Sequence, residues 1–428
     1  MIKRYTRKEM GQVWSSENRF TQMLNVEKAV AFVQGSKKII PKKAAQAIQS
    51  KARFSVSGIQ KLEEKTRHDV SAFVQNVSSY VGKPWGAYVH YGLTSSDVLD
   101  TALSLQIKEG ALIVQKELQH LKKVLKTLIQ KNKRTLCTGR THGMHAEPTT
   151  FSFKLLGFLS ELVRAENSFK QAVSEGALGM VSGPVGNYSS SSSDLEKAVC
   201  RRLKLSPEPV STQVLPRDRH ARIVFSISLI LTALERLAVE LRHLQRTEVS
   251  EVFEGFSKNQ QGSSSMPHKK NPISAENITG LSRLLRSYLQ AVMENIVLWH
   301  ERDISHSSVE RVIFPDAFIL CDYALSRMTQ LLKNLKVNTK RMKENLLSSG
   351  GEVFSSQILL TLIQKGVDRQ EAYSWVQKAA HGGSSFEEGL KKTPAKKYIG
   401  SKLWKEIFSG QAVLDKLEKT FQKKWMTF

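Results

Sequence analysis

Apolar residues recur at steps of three and four along long stretches of this chain. Over 227–244 they are Ile227, Leu231, Leu234, Leu237, Leu241 and Leu244. Over 281–296 they are Leu281, Leu284, Leu285, Tyr288, Leu289, Val292, Met293 and Ile296, and over 118–129 they are Leu118, Leu121, Leu125, Leu128 and Ile129. This spacing puts each set on one face of a helix, and the length of the runs makes the signal strong. Prolines are absent from 85–147, 217–266 and 273–314. Interior proline breaks a helix, so each window leaves room for one very long helix. Three such rods imply an elongated bundle. Strand signals are scarce, and the predicted fold class is all-α.

At 428 residues the chain is long enough for two or three domains. A loop at Tyr91-Gly92-Leu93-Thr94 precedes the first rod, and Asp368 in Gly366-Val367-Asp368 suits the cap of a new helix. The expected division is an N-terminal helical domain over 1–93, a central long-helix bundle over 94–365 and a C-terminal helical domain over 366–428. Tyr188 to Asp194, with serine at every position from 189 to 193, reads as a surface loop. Pro207 and Pro209 mark another break, and no internal repeat is evident.

Composition adds limits. Forty percent apolar residues is ordinary for a globular protein, and no run of about 18 apolar residues offers a membrane span. The start, Met1-Ile2-Lys3-Arg4-Tyr5, has no apolar stretch behind it and argues against a secretory signal. Cys137, Cys200 and Cys321 lie far apart, with neither disulfide nor zinc spacing. They read as small buried apolar residues in a reducing cytoplasm. The formal charge of +25 fits nucleic-acid binding or attraction of small polyanions. Residues 391–428 hold ten lysines against three acids, alternating with Leu403, Ile407, Leu414, Leu417 and Phe421. That pattern is the wet face of terminal helices. No recognised nucleic-acid motif accompanies it, so a solvated basic surface is favoured.

Five segments hold candidate chemistry. Thr66-Arg67-His68-Asp69 reads as a structural His–Asp pair or, with its arginine, an anion site. His90-Tyr91-Gly92-Leu93-Thr94-Ser95-Ser96-Asp97 reads first as a helix N-cap, and otherwise as a helix N-terminus facing a carboxylate or phosphate. Gly139-Arg140-Thr141-His142-Gly143-Met144-His145-Ala146-Glu147-Pro148 holds two histidines. No third ligand has metal spacing, which leaves proton transfer as the more economical use. Glu301 to Arg311 carries Arg302 and Arg311 with serines between them, either a solvated helix end or a clamp for phosphate or carboxylate. Gly262-Ser263-Ser264-Ser265-Met266-Pro267-His268-Lys269-Lys270-Asn271-Pro272 combines hydroxyls, a cation and an amide on a backbone made mobile by Gly and Ser and limited by two prolines. That set suits removal of a proton next to a carboxylate and stabilisation of the charge that results.

The Ser-Ser-x-Met-Pro-x-Lys-x-Asn pattern at 263–271 resembles the signature of the fumarase/aspartase superfamily. Lys3-Arg4-Tyr5, Thr66 to Asp69, His90 to Asp97, Arg140 to Pro148, Gln213 with Arg217-Asp218-Arg219-His220, and Trp299 to Arg311 resemble, within it, the adenylosuccinate lyase family. The likeness covers residues 3 to about 311 and is less specific beyond. It implies three helical domains, with central rods from four subunits in one bundle, hence a homotetramer whose active sites draw on three subunits. It implies elimination of fumarate from adenylosuccinate and from SAICAR, without metal or cofactor; from the composition above, no membrane partner is expected and nucleic acid is disfavoured.

By the same resemblance Ser263 is the general base, brought to the substrate by a mobile lid, and His142 is the general acid. Lys269 stabilises the alkoxide and the dianion. Glu276 orients His142, and His68 positions the substrate. Arg4, Tyr5, Arg67, Asp69, His90, Thr94, Ser95, Gln213, Ser264, Asn271, Asn277, Arg302, Ser307 and Arg311 bind substrate, as do His68 and Lys269. The alternatives are another superfamily lyase, such as argininosuccinate lyase, and a basic nucleic-acid-binding protein with a lost active site. The intact motif set weighs against the second.

Overall fold

The computed structural model describes residues 1–255, 265–382 and 385–427. Eighteen α-helices, three short 3-10 helices and two small two-stranded antiparallel sheets make up its regular structure among the described residues, in keeping with an all-α fold. The longest helices are Ser95–Lys131, Phe151–Gly176, Arg217–Gln245, Ile273–Glu294 and Ser305–Lys333.

The proline-free windows overstate three of these helices. The first helix stops at Lys131, where the Asn132 side chain turns back to donate to the Leu128 carbonyl at 2.8 Å. The second window is helical only to Gln245, and the third holds one whole helix, Ile273–Glu294, and the start of the next. A helix can end without a proline. The reverse also occurs, since Pro315 lies inside Ser305–Lys333. It removes the N–H that would bond the Arg311 carbonyl, a cost of about 3 kcal/mol. Burial of Phe314, Ala317, Phe318 and Cys321 around it offsets that loss.

The chain forms two compact units. One comprises Met1–Leu118, Arg164–Thr232 and Gly280–Ser326, and the other Gln119–Val163, Ala233–Thr279 and Arg327–Phe428. The core of the first gathers Phe20, Met23, Phe73, Val77, Val98 and Val199. Near it Phe318 packs on Trp14 and Phe169, and Gly110 leaves room for the ring, because a Cβ there would lie 2.9 Å from it. The core of the second gathers Phe354, Ile358, Leu362, Phe386, Trp404 and Ile407. In that unit Asp368 caps the helix Arg369–His381, as its sequence predicts, accepting the N–H groups of Gln370 and Glu371.

All three cysteines are buried and unpaired. Among the described residues no single helix is long and apolar enough to cross a membrane. In the terminal helices Ser401–Phe408 and Gln411–Trp425, Ile407 and Phe421 are buried while Lys405, Lys416, Lys419 and Lys423 are exposed. The serine run does lie largely on the surface, but it is bonded there. Ser190 and Ser191 donate to the carbonyls of Gly92 and Val181, and Ser192 caps the helix Ser193–Leu203.

Candidate active site

In the first unit, backbone turns present the predicted residues. Arg67 ends the helix Val56–Thr66 in the left-handed conformation, with φ 53°. His68 then caps Asp69–Val81, its Nδ1 accepting the Ser71 N–H at 3.3 Å. That bond puts the proton of a neutral His68 on Nε2. His90, at φ 65°, bonds Glu27 through its N–H and through Nδ1, at 3.0 and 2.7 Å. Burial lowers the His90 pKa, but Glu27 and Asp97 outweigh it, and the result lies above the ordinary value. Thr94 and Ser95 open the helix Ser95–Lys131, where Asp97 reaches back to the Thr94 N–H at 2.9 Å in the manner of a capping box. Asp97 also accepts the N–H groups of Ser182 and Gly183, and burial pushes its carboxyl up to about 6 against those donors.

The same unit holds a cavity of about 280 Å³ whose lining includes Arg302, Ser307 and Arg311. Arg302 donates to the Gln213 Oε1 at 3.1 Å, and Gln213 donates to the Pro184 carbonyl at 2.8 Å. Arg311 donates to Asp69 at 2.6 Å. The structure thus brings together Gln213 with Arg302, and Asp69 with Arg311, far apart in the chain. Arg4 is exposed, and the Tyr5 ring meets Tyr323 edge-on. Sequence reasoning missed two features of this unit. Arg19 shares Asp69 with Arg311, at 2.7 Å. Burial is the largest single effect and raises the Asp69 carboxyl, but these guanidiniums and the Val70 N–H together outweigh it and hold it below its ordinary value. A buried network also adjoins the cavity. Arg217 grips Asp100 through two nitrogens, at 2.6 and 3.0 Å, and also bonds Glu310, which meets His220 at 3.0 Å.

In the second unit His142 lies at the tip of a β-hairpin, which the sequence reading did not foresee. Leu136–Thr141 pairs with Met144–Thr150, and His142 and Gly143 form its two-residue turn. Both have positive φ, 54° and 80°, the pattern of a type I′ turn. The His-Gly dipeptide was the available signal. Its flanks do not alternate apolar and polar residues, so it passed unread. At the hairpin base Arg140 donates to the buried Glu251 at 2.5 and 3.2 Å, and Asn345 donates to Glu251 at 2.8 Å. Gly143→Ala is expected to cost about 1 kcal/mol, because a Cβ there meets nothing within 4 Å and only the left-handed backbone resists it. Urea unfolding checks this, and a loss of several kcal/mol would mean that the turn is packed.

Glu276 and Asn277 lie in the first turns of the helix Ile273–Glu294. The Glu254 carboxylate, also missed in the sequence, caps that helix by accepting the N–H groups of Ser274 and Ala275 at 3.0 and 2.8 Å. Lys269 is exposed, Asn271 is half-buried, and the Asn277 Oδ1 is buried with no hydrogen-bond partner among the described residues. His142 and Glu276 are both exposed, and no hydrogen bond joins them among the described residues. Ser263 and Ser264 lie outside the described residues, and with them the lid expected at their loop. Among the described residues no three His, Cys, Asp or Glu side chains converge as metal ligands.

Comparison with known proteins bears on the family and the fold of this chain. A family model described as lyase matches residues 1–285. An adenylosuccinate lyase of Synechocystis sp. is 47% identical over 91% of this chain and 91% of its own. One of Thermotoga maritima is 44% identical over 99% of each. Among solved structures, a fumarate lyase from Mesorhizobium sp. superposes with a TM-score of 0.85 at 24% identity, covering 97% of this chain and 98% of its own. A β-carboxy-cis,cis-muconate cycloisomerase from Acinetobacter calcoaceticus does so with a TM-score of 0.87 at 22% identity, covering 99% and 98%. Those two likenesses carry the fold. The family model and the sequence likeness assign this chain to the adenylosuccinate lyase family of the fumarase/aspartase superfamily.

Proposed function

We propose that this chain eliminates fumarate from adenylosuccinate to give AMP, and from SAICAR to give AICAR. The observation that carries the reading is its 44% identity to an adenylosuccinate lyase over 99% of both chains. The first unit adds physical support, since Arg302, Ser307 and Arg311 meet at one cavity and suit a substrate with a phosphate and two carboxylates.

In the proposed step, Ser263 as alkoxide takes the proton from the carbon next to a carboxylate. The C–N bond then breaks, its electron pair goes to nitrogen, and His142 protonates that nitrogen. Lys269 and loop N–H groups stabilise the alkoxide and the dianion, and Asn271 hydrogen-bonds the carboxylate. Glu276 orients His142 and supports its charged form, while His68 positions the substrate and its phosphate. Arg4, Tyr5, Arg67, Asp69, His90, Thr94, Ser95, Gln213, Ser264, Asn277, Arg302, Ser307 and Arg311 bind substrate. The elimination needs neither metal nor cofactor.

The working form is proposed to be a cytoplasmic homotetramer in which three subunits complete each site, with the domain division near residues 93 and 365. Apolar side chains on the long helices support assembly. Phe225, Met293 and Val312 are 48, 51 and 53% exposed in the isolated chain, an arrangement that suits burial against further copies.

Purified protein given adenylosuccinate and a chelator is expected to release AMP and fumarate in equal amounts. No product across several buffers would sink the lyase reading. Turnover of argininosuccinate instead would move the chain to a neighbouring specificity.

A further inference from the structure

We propose that Arg19, in the first turn of the helix Ser16–Ser36, is a further substrate-binding residue, paired with Arg311 by Asp69 to grip one anionic group of the substrate. This rests on the lyase reading above, which does not assign Arg19.

The bonding pattern leaves positive charge unmatched. Arg19 and Arg311 donate to the same oxygen, Asp69 Oδ2, at 2.7 and 2.6 Å. Asp69 Oδ1 accepts the Val70 N–H at 2.8 Å, which ties the carboxylate to the start of its own helix. Two cations thus share one fixed anion, and one positive charge is left over. Both guanidiniums line the same cavity, with Arg302. Arg302 is bonded to the neutral amide of Gln213, and its Nε is buried with no hydrogen-bond partner among the described residues.

Arg217, at the same cavity, differs. Two carboxylates, Asp100 and Glu310, already neutralise it. The unspent positive charge therefore belongs to Arg19, Arg302 and Arg311. Met23, Leu99 and Leu103 form apolar wall beside them, which strengthens charge attraction by excluding water. A pair of guanidiniums held in register suits a multidentate oxyanion. The substrate offers two such groups, a phosphate monoester and the succinyl carboxylates.

The test is Arg19→Gln, with Arg19→Lys as the conservative variant. KM for adenylosuccinate is expected to rise at least tenfold in Arg19→Gln while kcat changes less than threefold, and the lysine variant should recover part of the loss. Calorimetric titration with AMP and with fumarate identifies the group. Selective weakening of AMP marks the phosphate, and selective weakening of fumarate marks a carboxylate. Unchanged KM and unchanged affinity for both ligands in a folded Arg19→Gln protein would overturn the proposal. So would equal weakening of both ligands with no recovery by lysine, which marks a structural role. Absence of turnover in the unmutated protein would remove the lyase reading instead, and the two failures are separable because the titrations need no turnover.

Discussion

His142→Ala is expected to lower kcat by about 10² to 10⁴-fold, the usual worth of a positioned general acid. At about 1.4 kcal/mol per decade that is about 3–5 kcal/mol of lost transition-state stabilisation. The loss should be kinetic and not structural. His142 is exposed at the hairpin tip and takes part in no hydrogen bond among the described residues, so its removal opens no cavity and orphans no buried group. Its φ of 54° is the one structural concern, because alanine resists that conformation. His142→Asn answers it. Asparagine tolerates the left-handed turn but cannot deliver the proton. Both variants should fold and lose turnover together in a steady-state assay. Near-normal rates in His142→Asn would remove the residue from the proton path.

The largest expected loss of stability comes from Arg217→Met, about 3–5 kcal/mol in urea unfolding at fixed protein concentration. Arg217 is 3% exposed, and both of its carboxylate partners are largely buried. Without it, Asp100 and Glu310 lose the guanidinium that bonds them both, and only the His220 contact to Glu310 at 3.0 Å remains of the bonds described above. Arg217 acts on both pKa values. Burial is the largest effect and raises them, yet Arg217 and His220 outweigh it and hold both below the ordinary 3.8 and 4.5. A depressed carboxyl stabilises the fold fully above its unfolded value, and that stability is lost as pH falls through the folded one. In the unmutated chain this contribution should therefore be complete above about pH 4.5 and decline below it, as the folded carboxyls take up protons. In Arg217→Met the same carboxyls should take up protons at higher pH, and the acid limb of the stability curve should shift upward. An unshifted limb would mean that Arg217 does not set their charge.

Periodicity was readable where burial within one chain creates it. Leu118, Leu121, Leu125 and Ile129 are all buried, as are Leu231, Leu234, Leu237, Leu241 and Leu244. The 281–296 run is only partly buried, and Leu284, Met293 and Ile296 remain exposed. There the apolar pattern is broader than the chain's own core. The hairpin was not readable because Leu136-Cys137-Thr138-Gly139-Arg140-Thr141 lacks the alternation of a half-buried strand. Pro315 misled because burial of its neighbours overrides local propensity. At the site, short motifs exposed the residues that carry chemistry, but not those that hold them. Arg19 looks like an ordinary polar position in the first turn of a helix. Its meaning lies in Asp69, and nothing local signals that meeting. Glu251 and Glu254 are hidden for the same reason.

The shared carboxylate also bears on the order in which the grip can form. Asp69 and Arg19 are separated by 50 positions, and Asp69 and Arg311 by 242. By chain-closure entropy alone, the longer loop costs about 1.4 kcal/mol more to close. The nearer arginine therefore has the entropic advantage in meeting Asp69 during folding, and the farther one joins a carboxylate already engaged. A grip on an anion is in this sense a late product of folding, whereas the His142 turn closes between strands that are immediate neighbours in sequence.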